Sequence, residues 1–325
     1  MKFPSVTVHV TVKNSAKTIK SCVDSLLRLN YPNKKIIVTD AYSTDGTYEI
    51  LKKYGHKIKL EKVRGPAPRA HNYIIPKVDT EFYAMTDADC VVDRNWLKNL
   101  ISSFTSKEII AAGGFVATPR GVNKLQSLIG RELEYRYRKF PKYVSRFPTM
   151  NMIVRTAVAK KVKMNENLSA AFETDWGFRL EKYGKLAYVP KAIVWHYPRA
   201  NLSSYFKQQM NYTKYALRVY TSHKLKAKGD YISTKSMFLQ EYFFITFALL
   251  LMSTIVSHFL NSSISYLLGR LTFYSFVLLL VSYLIDAIPM SKNSSDVILY
   301  QGLFFIRNIS WSLGFLLGIL YLFKK

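Results

Sequence analysis

Apolar and polar residues alternate from Val6 to Val12 (Val-Thr-Val-His-Val-Thr-Val), the period-two pattern of a β-strand. From Ala16 to Leu29 the period lengthens: Ile19, Val23, Leu26 and Leu27 share one face of a helix. Tyr31-Pro32 breaks it, a second strand follows at Lys35 to Thr39, and the turn-forming run Asp40 to Thr47 leads into another helix. Glu81 to Thr86 is a further strand, closed by Asp87-Ala88-Asp89 and followed by a helix from Trp96 to Phe104. Later come a helix from Trp176 to Tyr183 and a strand from Ala192 to Trp195. Such alternation predicts an α/β domain with a largely parallel sheet, which binds ligands beyond the carboxyl ends of its strands. Asp40 and Asp87 both fall at such ends.

The pattern changes in the C-terminal third. Phe238 to Leu260, Ile264 to Ile288 and Val297 to Phe323 are each long enough to cross a hydrocarbon core, which takes about 20 apolar residues. A buried hairpin of a soluble protein is the competing reading, and three runs in succession weigh against it. The chain therefore divides at Gly229-Asp230 into an α/β domain over residues 1–230 and an all-α transmembrane domain of about three helices over 231–325. No signal-peptide pattern precedes Val6, so the α/β domain is expected in the cytoplasm and the protein in the cell membrane, multi-pass.

Charge separates along the same line. The chain has 47 Lys and Arg against 21 Asp and Glu; residues 238–325 hold five and three of these, leaving 42 and 18 in residues 1–237. The excess in Lys124 to Arg146 and Lys207 to Lys228 is interleaved with Leu128, Leu133, Tyr205 and Tyr212, the composition of interfacial helices on anionic lipid. With an apolar tail present, membrane lipid is the expected partner and nucleic acid is not. Two cysteines, Cys22 and Cys90, offer neither a disulfide framework nor a thiolate metal site.

Asp87-Ala88-Asp89 carries the candidate chemistry. Mg²⁺ and Mn²⁺ at nucleotide sites take one or two carboxylates and complete their shell with substrate phosphates. Short acidic loops also serve as turns and caps, and Asp93 or Asn95 could cap the next helix.

Several ordered landmarks give this tripeptide a context: Asn14 to Ile19, Ser25-Leu26 with Tyr31-Pro32, Val38-Thr39-Asp40 with Ser43 to Thr47, Arg69-Ala70-His71-Asn72, Asp87-Ala88-Asp89, and Glu173-Thr174-Asp175 with Arg179-Leu180. Gly184, Val189-Pro190 and His196 continue the series. On these residues the chain, over roughly residues 4 to 218, resembles the membrane-anchored family 2 glycosyltransferases of GT-A fold, including cellulose-synthase-like and archaeal-type enzymes of lipid-linked glycan assembly. The resemblance implies transfer of a hexose from a nucleotide sugar, GDP-mannose or a UDP-hexose, to a hydroxyl of a polyprenol-linked or dolichol-linked glycan, with inversion and with Mn²⁺ or Mg²⁺, as in N-glycan biosynthesis.

It also implies roles. Asp40 binds the nucleobase, with Arg69 and Asn72 beside the nucleotide; His71 stands where many relatives have Arg. Asp89 binds the metal, Asp87 the ribose or the metal's water shell, and His196 completes the metal site. Asp45-Gly46-Thr47 reads as structural. An inverting transfer to a hydroxyl needs a base: strict register gives Glu173, with Asp175 in reserve, although an acidic residue there also suits a helix N-terminus. Processive relatives carry Gln-x-x-Arg-Trp, whereas this chain has Gln208-Gln209-Met210-Asn211-Tyr212, so one sugar per encounter is expected. A polyprenyl-phosphate sugar synthase and a non-catalytic basic membrane scaffold are the alternatives.

Within the apolar runs Arg307 and Arg270 are candidates for binding a lipid acceptor's phosphate, against a structural pairing of Arg307 with Glu241 or a carbonyl. Three crossings would put Lys324-Lys325 outside, against the positive-inside tendency, so one run is open to a re-entrant or interfacial reading.

Overall fold

The alternating run at the start of the chain forms β1 (Val6–Val12), followed by α1 (Ile19–Leu27), β2 (Lys34–Asp40), α2 (Thr47–Lys52), β3 (Lys59–Lys62), α3 (Ala67–Ile74) and β4 (Phe82–Asp87). These elements belong to a computed structural model that describes residues 3–226, 229–260 and 263–323. The chain continues through β5 (Cys90–Val92), α4 (Trp96–Ile101), β6 (Ile109–Ala117), α5 (Lys124–Tyr137), β7 (Tyr143–Val144), β8 (Met152–Arg155), α6 (Thr156–Lys161), α7 (Phe172–Leu180) and β9 (Lys185–His196). Among the described residues the sheet order is β3-β2-β1-β4-β8-β6-β9-β5, with β7 on β9.

Strands β3, β2, β1 and β4 run parallel, and their register sets the site: Val12 pairs with Asp40 and Thr11 with Asp87. Asp40 and Asp87 thus leave the two strands that flank β1, at the same end of the sheet. Beyond β4 the pairing is mixed, with β8 antiparallel to both β4 and β6, β6 parallel to β9, and β9 antiparallel to β5. Alternation in β1 suggests one wet face, yet Thr7 and His9 are as buried as Val6, Val8 and Val10. Hydrogen bonding makes this tolerable. His9 Nε2 meets Thr39 Oγ1 at 2.9 Å, while its Nδ1 contacts the Tyr83 hydroxyl and lies 3.1 Å from His71 Nδ1.

Gly114 allows β6 and β9 to approach: a Cβ there would lie 1.8 Å from the Ala192 carbonyl oxygen, beside the register shift between Gly114 and Phe115. Several elements differ in extent from their sequence reading. The first helix begins at Ile19, because Ser15 and Ala16 donate their N–H groups to Thr47 and Asp45. The helix read from Trp176 instead starts at Phe172, after Ala171 adopts a left-handed conformation (φ 57°), so Glu173 and Asp175 occupy its first turn.

Compactness divides the chain into Met1–Ala200 and Asn201–Lys325. The second unit comprises α8 (Leu202–Ser222), α9 (Lys235–Phe259), α10 (Ser265–Ala287) and α11 (Ser294–Phe323). Helix α8 lies along α11, where Gly314 and Gly318 bring backbones together: a Cβ on them would lie 2.4 Å from the Met210 and 2.9 Å from the Lys214 carbonyl oxygen. Among the described residues three helices are long and apolar enough to cross a membrane: Lys235–Phe259, Ser265–Met290 and Ser294–Leu322. Leu249, Phe273 and Ile285 are exposed, as lipid-facing side chains are. Lys324 and Lys325 lie outside the described residues.

Candidate active site

The apolar strand β4 delivers Asp87 to the sheet edge; the chain turns at Ala88, and β5 returns against β9 with Cys90 opposite His196. That pairing sets His196, the last residue of β9, beside Asp89: Nε2 and Oδ2 are 3.7 Å apart. Thr149 steadies Asp87 through a 3.4 Å hydrogen bond to Oδ1. Burial, then the Asp89 carboxylate, push the Asp87 carboxyl up to about 7, with Glu173 adding to the effect. Burial disfavours a charged His196, but the Asp89 and Asp87 carboxylates outweigh it and lift the imidazole above its ordinary range. Asp89 is held below the usual carboxylate value because His196 and Arg199 together overcome the opposing effect of burial.

These residues suit a divalent cation. Two carboxylates that resist joint ionisation share one turn, and the buried Nδ1 of His196 has no hydrogen-bond partner. No group of three His, Cys, Asp or Glu side chains arranged to hold a metal occurs among the described residues. The expected ligands Asp87, Asp89 and His196 thus do not form such a group, although Asp89 Oδ2 lies 3.7 Å from His196 Nε2 and Asp87 is near enough to raise the imidazole.

The structure separates the two candidate bases. Asp175 is committed to a buried ion pair, accepting from Arg179 Nε at 2.9 Å and Nη2 at 2.6 Å, while Arg179 Nη1 donates to the Lys163 carbonyl. Glu173 has no such clamp and lies close enough to Asp87 to raise its pKa. Burial raises the Glu173 carboxyl, with Arg146 opposing. Arg146 also fixes the turn, donating to Thr174 Oγ1 at 2.9 Å.

Asp40 is fully buried at the end of β2. Its Oδ2 accepts from the Ser43 N–H at 3.0 Å, and its buried Oδ1 has no partner. The surrounding loops are stitched together: Asn14 N–H donates to Ser43 Oγ, Thr44 N–H to Asn14 Oδ1, and Asp45 accepts from Ala16 and Thr47. Asp45 and Thr47 thus do loop-holding work.

Arg69 and Asn72 are not brought to the acidic pair. The Asn72 amide donates to the Met164 carbonyl and Glu166, and its oxygen accepts from the Met164 N–H, so its capacity is spent on the 164–166 loop. Arg69 is exposed, 3.8 Å from Glu166. His71 faces the core, with Nδ1 2.8 Å from the Tyr83 hydroxyl. In the helical unit, Arg307 is buried and donates to Gln240 Oε1 at 2.5 Å, with Phe304 4.4 Å below its guanidinium. Glu241 Oε1 accepts from Ser312. Arg270 is exposed and lines a cavity of about 690 Å³ between the ends of α9 and α10.

Sequence reasoning missed Arg146, Thr149 and the His9–His71–Tyr83 cluster. Of these only His71 lies in a motif, and their partners are 12 to 74 residues away in the chain.

Residues 7–168 match the profile of a family described as Glycosyl transferase family 2. The chain is 25% identical over 218 residues to a poly-beta-1,6-N-acetyl-D-glucosamine synthase of Staphylococcus epidermidis, covering 62% of this chain and 52% of that protein. It is 23% identical over 238 residues to glycosyltransferase AglE of Haloferax volcanii, covering 69% and 77% respectively. The chain spans about half the length of the synthases it matches. Among solved structures, the mannosyltransferase PcManGT of Pyrobaculum calidifontis, in complex with GDP-Man and Mn²⁺, superposes over 100% of this chain and 89% of its own, with TM-score 0.58 and 15% identity. That likeness concerns the fold: an α/β GT-A-like domain followed by long apolar helices.

Proposed function

The chain belongs to glycosyltransferase family 2, and from that premise we propose that it is an inverting, metal-dependent membrane enzyme that moves a hexose from a nucleoside diphosphate to a hydroxyl of a polyprenol-linked or dolichol-linked glycan. The observation that carries the reading is the convergence of Asp87, Asp89, His196 and Glu173 at the carboxyl end of β4. Asp89, Asp87 and His196 would hold Mn²⁺ or Mg²⁺, which supplies Lewis-acid stabilisation of the leaving diphosphate. Glu173 takes the proton of the attacking hydroxyl as the new glycosidic bond forms and the bond to the diphosphate oxygen breaks. Burial raises its carboxyl, which strengthens it as a base.

GDP-mannose or a UDP-hexose is the donor in this reading. The GDP-Man complex of the Pyrobaculum mannosyltransferase supports the first. The lack of Arg and Trp in Gln208 to Tyr212 supports transfer of a single sugar. The three long apolar helices support a multi-pass membrane protein, and use of a nucleotide-sugar donor favours an α/β unit in the cytoplasm, where such donors are made.

The test gives the full chain in detergent a panel of nucleotide sugars with Mn²⁺ and a lipid extract, and follows nucleoside diphosphate release. One donor should turn over, with Asp89→Ala inactive. Release that persists in Asp89→Ala, or product from Glu173→Gln at the wild-type rate, removes the assignment.

A further inference from the structure

Helix α11 is long and apolar enough to cross a membrane, yet its contacts set it across one end of the α9–α10 hairpin. The hairpin is antiparallel along its length, with Gln240 Nε2 on the Ser282 carbonyl, Phe247 against Phe276 and Thr254 Oγ1 on Thr272 Oγ1. The contacts of α11 cluster at one level of it. Phe305 packs on Phe244 and Phe304 on Tyr283, while Arg307 donates to Gln240 and Ser312 to Glu241. From Phe305 to Ser312 α11 advances about 10 Å, whereas its contacts on α9 move back from Phe244 to Glu241, about 4.5 Å. A helix crossing beside the hairpin would move along it as fast as it advances.

The second half of α11 is tied to α8. Trp311 Nε1 donates to Gln209 Oε1 at 3.0 Å, Gly314 and Gly318 lie against the Met210 and Lys214 carbonyls, and Tyr321 has the Arg218 guanidinium carbon 5.8 Å from its ring centre. The two helices therefore run in the same direction, side by side. On α8, Lys207, Asn211, Lys214 and Arg218 recur at helical spacing on one face, and such a stripe is excluded from hydrocarbon. The end of α8 returns to where α9 begins, with the Tyr220 and Phe238 rings 6.1 Å apart. Whatever depth α8 keeps in the bilayer, α11 from Trp311 to Tyr321 keeps as well.

We propose that α11 lies in the membrane surface beside α8, that only α9 and α10 cross, and that the α8–α11 pair docks on an anionic leaflet at the side where α9 begins. Leu313, Leu316 and Leu320 form one exposed stripe of α11 that enters the acyl boundary, while the basic face of α8 meets phosphate headgroups. Two crossings also remove the conflict that three create between Lys324-Lys325 and the positive-inside tendency. This rests on the membrane reading and is independent of the sugar-transfer chemistry.

The experiment first labels the full chain, expressed in a bacterial host, with a membrane-impermeant maleimide before and after the cells are opened. Buried Cys22 and Cys90 stay silent, and single reporters are Leu225→Cys ahead of α9, Ser263→Cys in the α9–α10 turn and Lys325→Cys. Lys325→Cys should label on the same side as Leu225→Cys and opposite Ser263→Cys. Labelling together with Ser263→Cys, opposite Leu225→Cys, means a third crossing and overturns the proposal alone; all three on one side overturns the membrane reading too. Depth is then read from fluorophores at Leu313→Cys, Leu316→Cys and Leu320→Cys, quenched by spin-labelled lipids in phosphatidylcholine–phosphatidylglycerol vesicles. One shallow depth is expected, whereas a spanning α11 separates Leu313 from Leu320 by about 10 Å, and a gradient of that size overturns the proposal. Spin-labelled phosphatidylglycerol should quench about twofold more than spin-labelled phosphatidylcholine, and Lys207→Gln with Arg218→Gln should erase the difference. Equal quenching of the wild type by both lipids overturns the anionic partner.

Discussion

Glu173 and Asp175 stand two residues apart in the first turn of α7, and the structure assigns them different kinds of loss on mutation. Asp175→Asn removes the charge that Arg179 engages with two N–H groups at 2.6 and 2.9 Å. Stripping one partner from a buried pair costs about 3–5 kcal/mol. The Arg179 side chain is 29% exposed and keeps the Lys163 carbonyl, so water shares the charge and about 2 kcal/mol is the better figure here. For a unit of this size that is a fall in melting temperature of about 4–8 °C. Glu173→Gln keeps shape and removes the base, so kcat should fall by about 10²- to 10⁴-fold with the melting temperature unchanged. Because burial raises the Glu173 carboxyl, the acid limb of the wild-type rate profile should lie above the ordinary glutamate value, and Glu173→Gln should flatten it. The assay pairs single-turnover nucleoside diphosphate release with thermal unfolding of each variant. Full activity in Glu173→Gln, or an Asp175→Asn chain that is inactive yet as stable as the wild type, refutes the division of roles.

Three further outcomes follow from the same structure. Asp87 must lose its proton to ligate a cation, and its carboxyl sits at about 7, so apparent Mn²⁺ affinity should drop about tenfold per unit as pH falls below 7; a pH-independent titration would count against Asp87 as a ligand. His9 and His71 are buried, and burial depresses both imidazoles, His71 to about 3. Their unfolded forms take up protons below about 6.5, so stability present above that pH should be lost as pH falls, by up to about 2.7 kcal/mol per unit; denaturant titrations of His71→Gln should show about half that contribution. Gly114→Ala should destabilise the α/β unit by about 1–3 kcal/mol, because the new methyl meets a backbone carbonyl that cannot rotate away; an unchanged denaturation midpoint would show that β6 and β9 separate freely.

What the sequence by itself determined is what local pattern can encode. Period-two and helical spacing located β1, α1, β2 and the three long apolar helices, and the place of Asp40 and Asp87 at strand ends followed from where those runs stop. Register ranked Glu173 before Asp175 without showing what occupies either, and the family resemblance set Arg69 and Asn72 beside the nucleotide without showing their partners. The tertiary structure decided between such options because a side chain's role depends on partners that the fold supplies from elsewhere. Asn72 is hydrogen-bonded to a loop 92 residues away, His71 turns inward to Tyr83, and buried Arg307 donates to Gln240 from another helix. Sequence periodicity reports which face a residue occupies. Hydrogen-bond valence, burial and neighbouring charge, which set whether that residue remains available for chemistry, come into being only when distant segments meet.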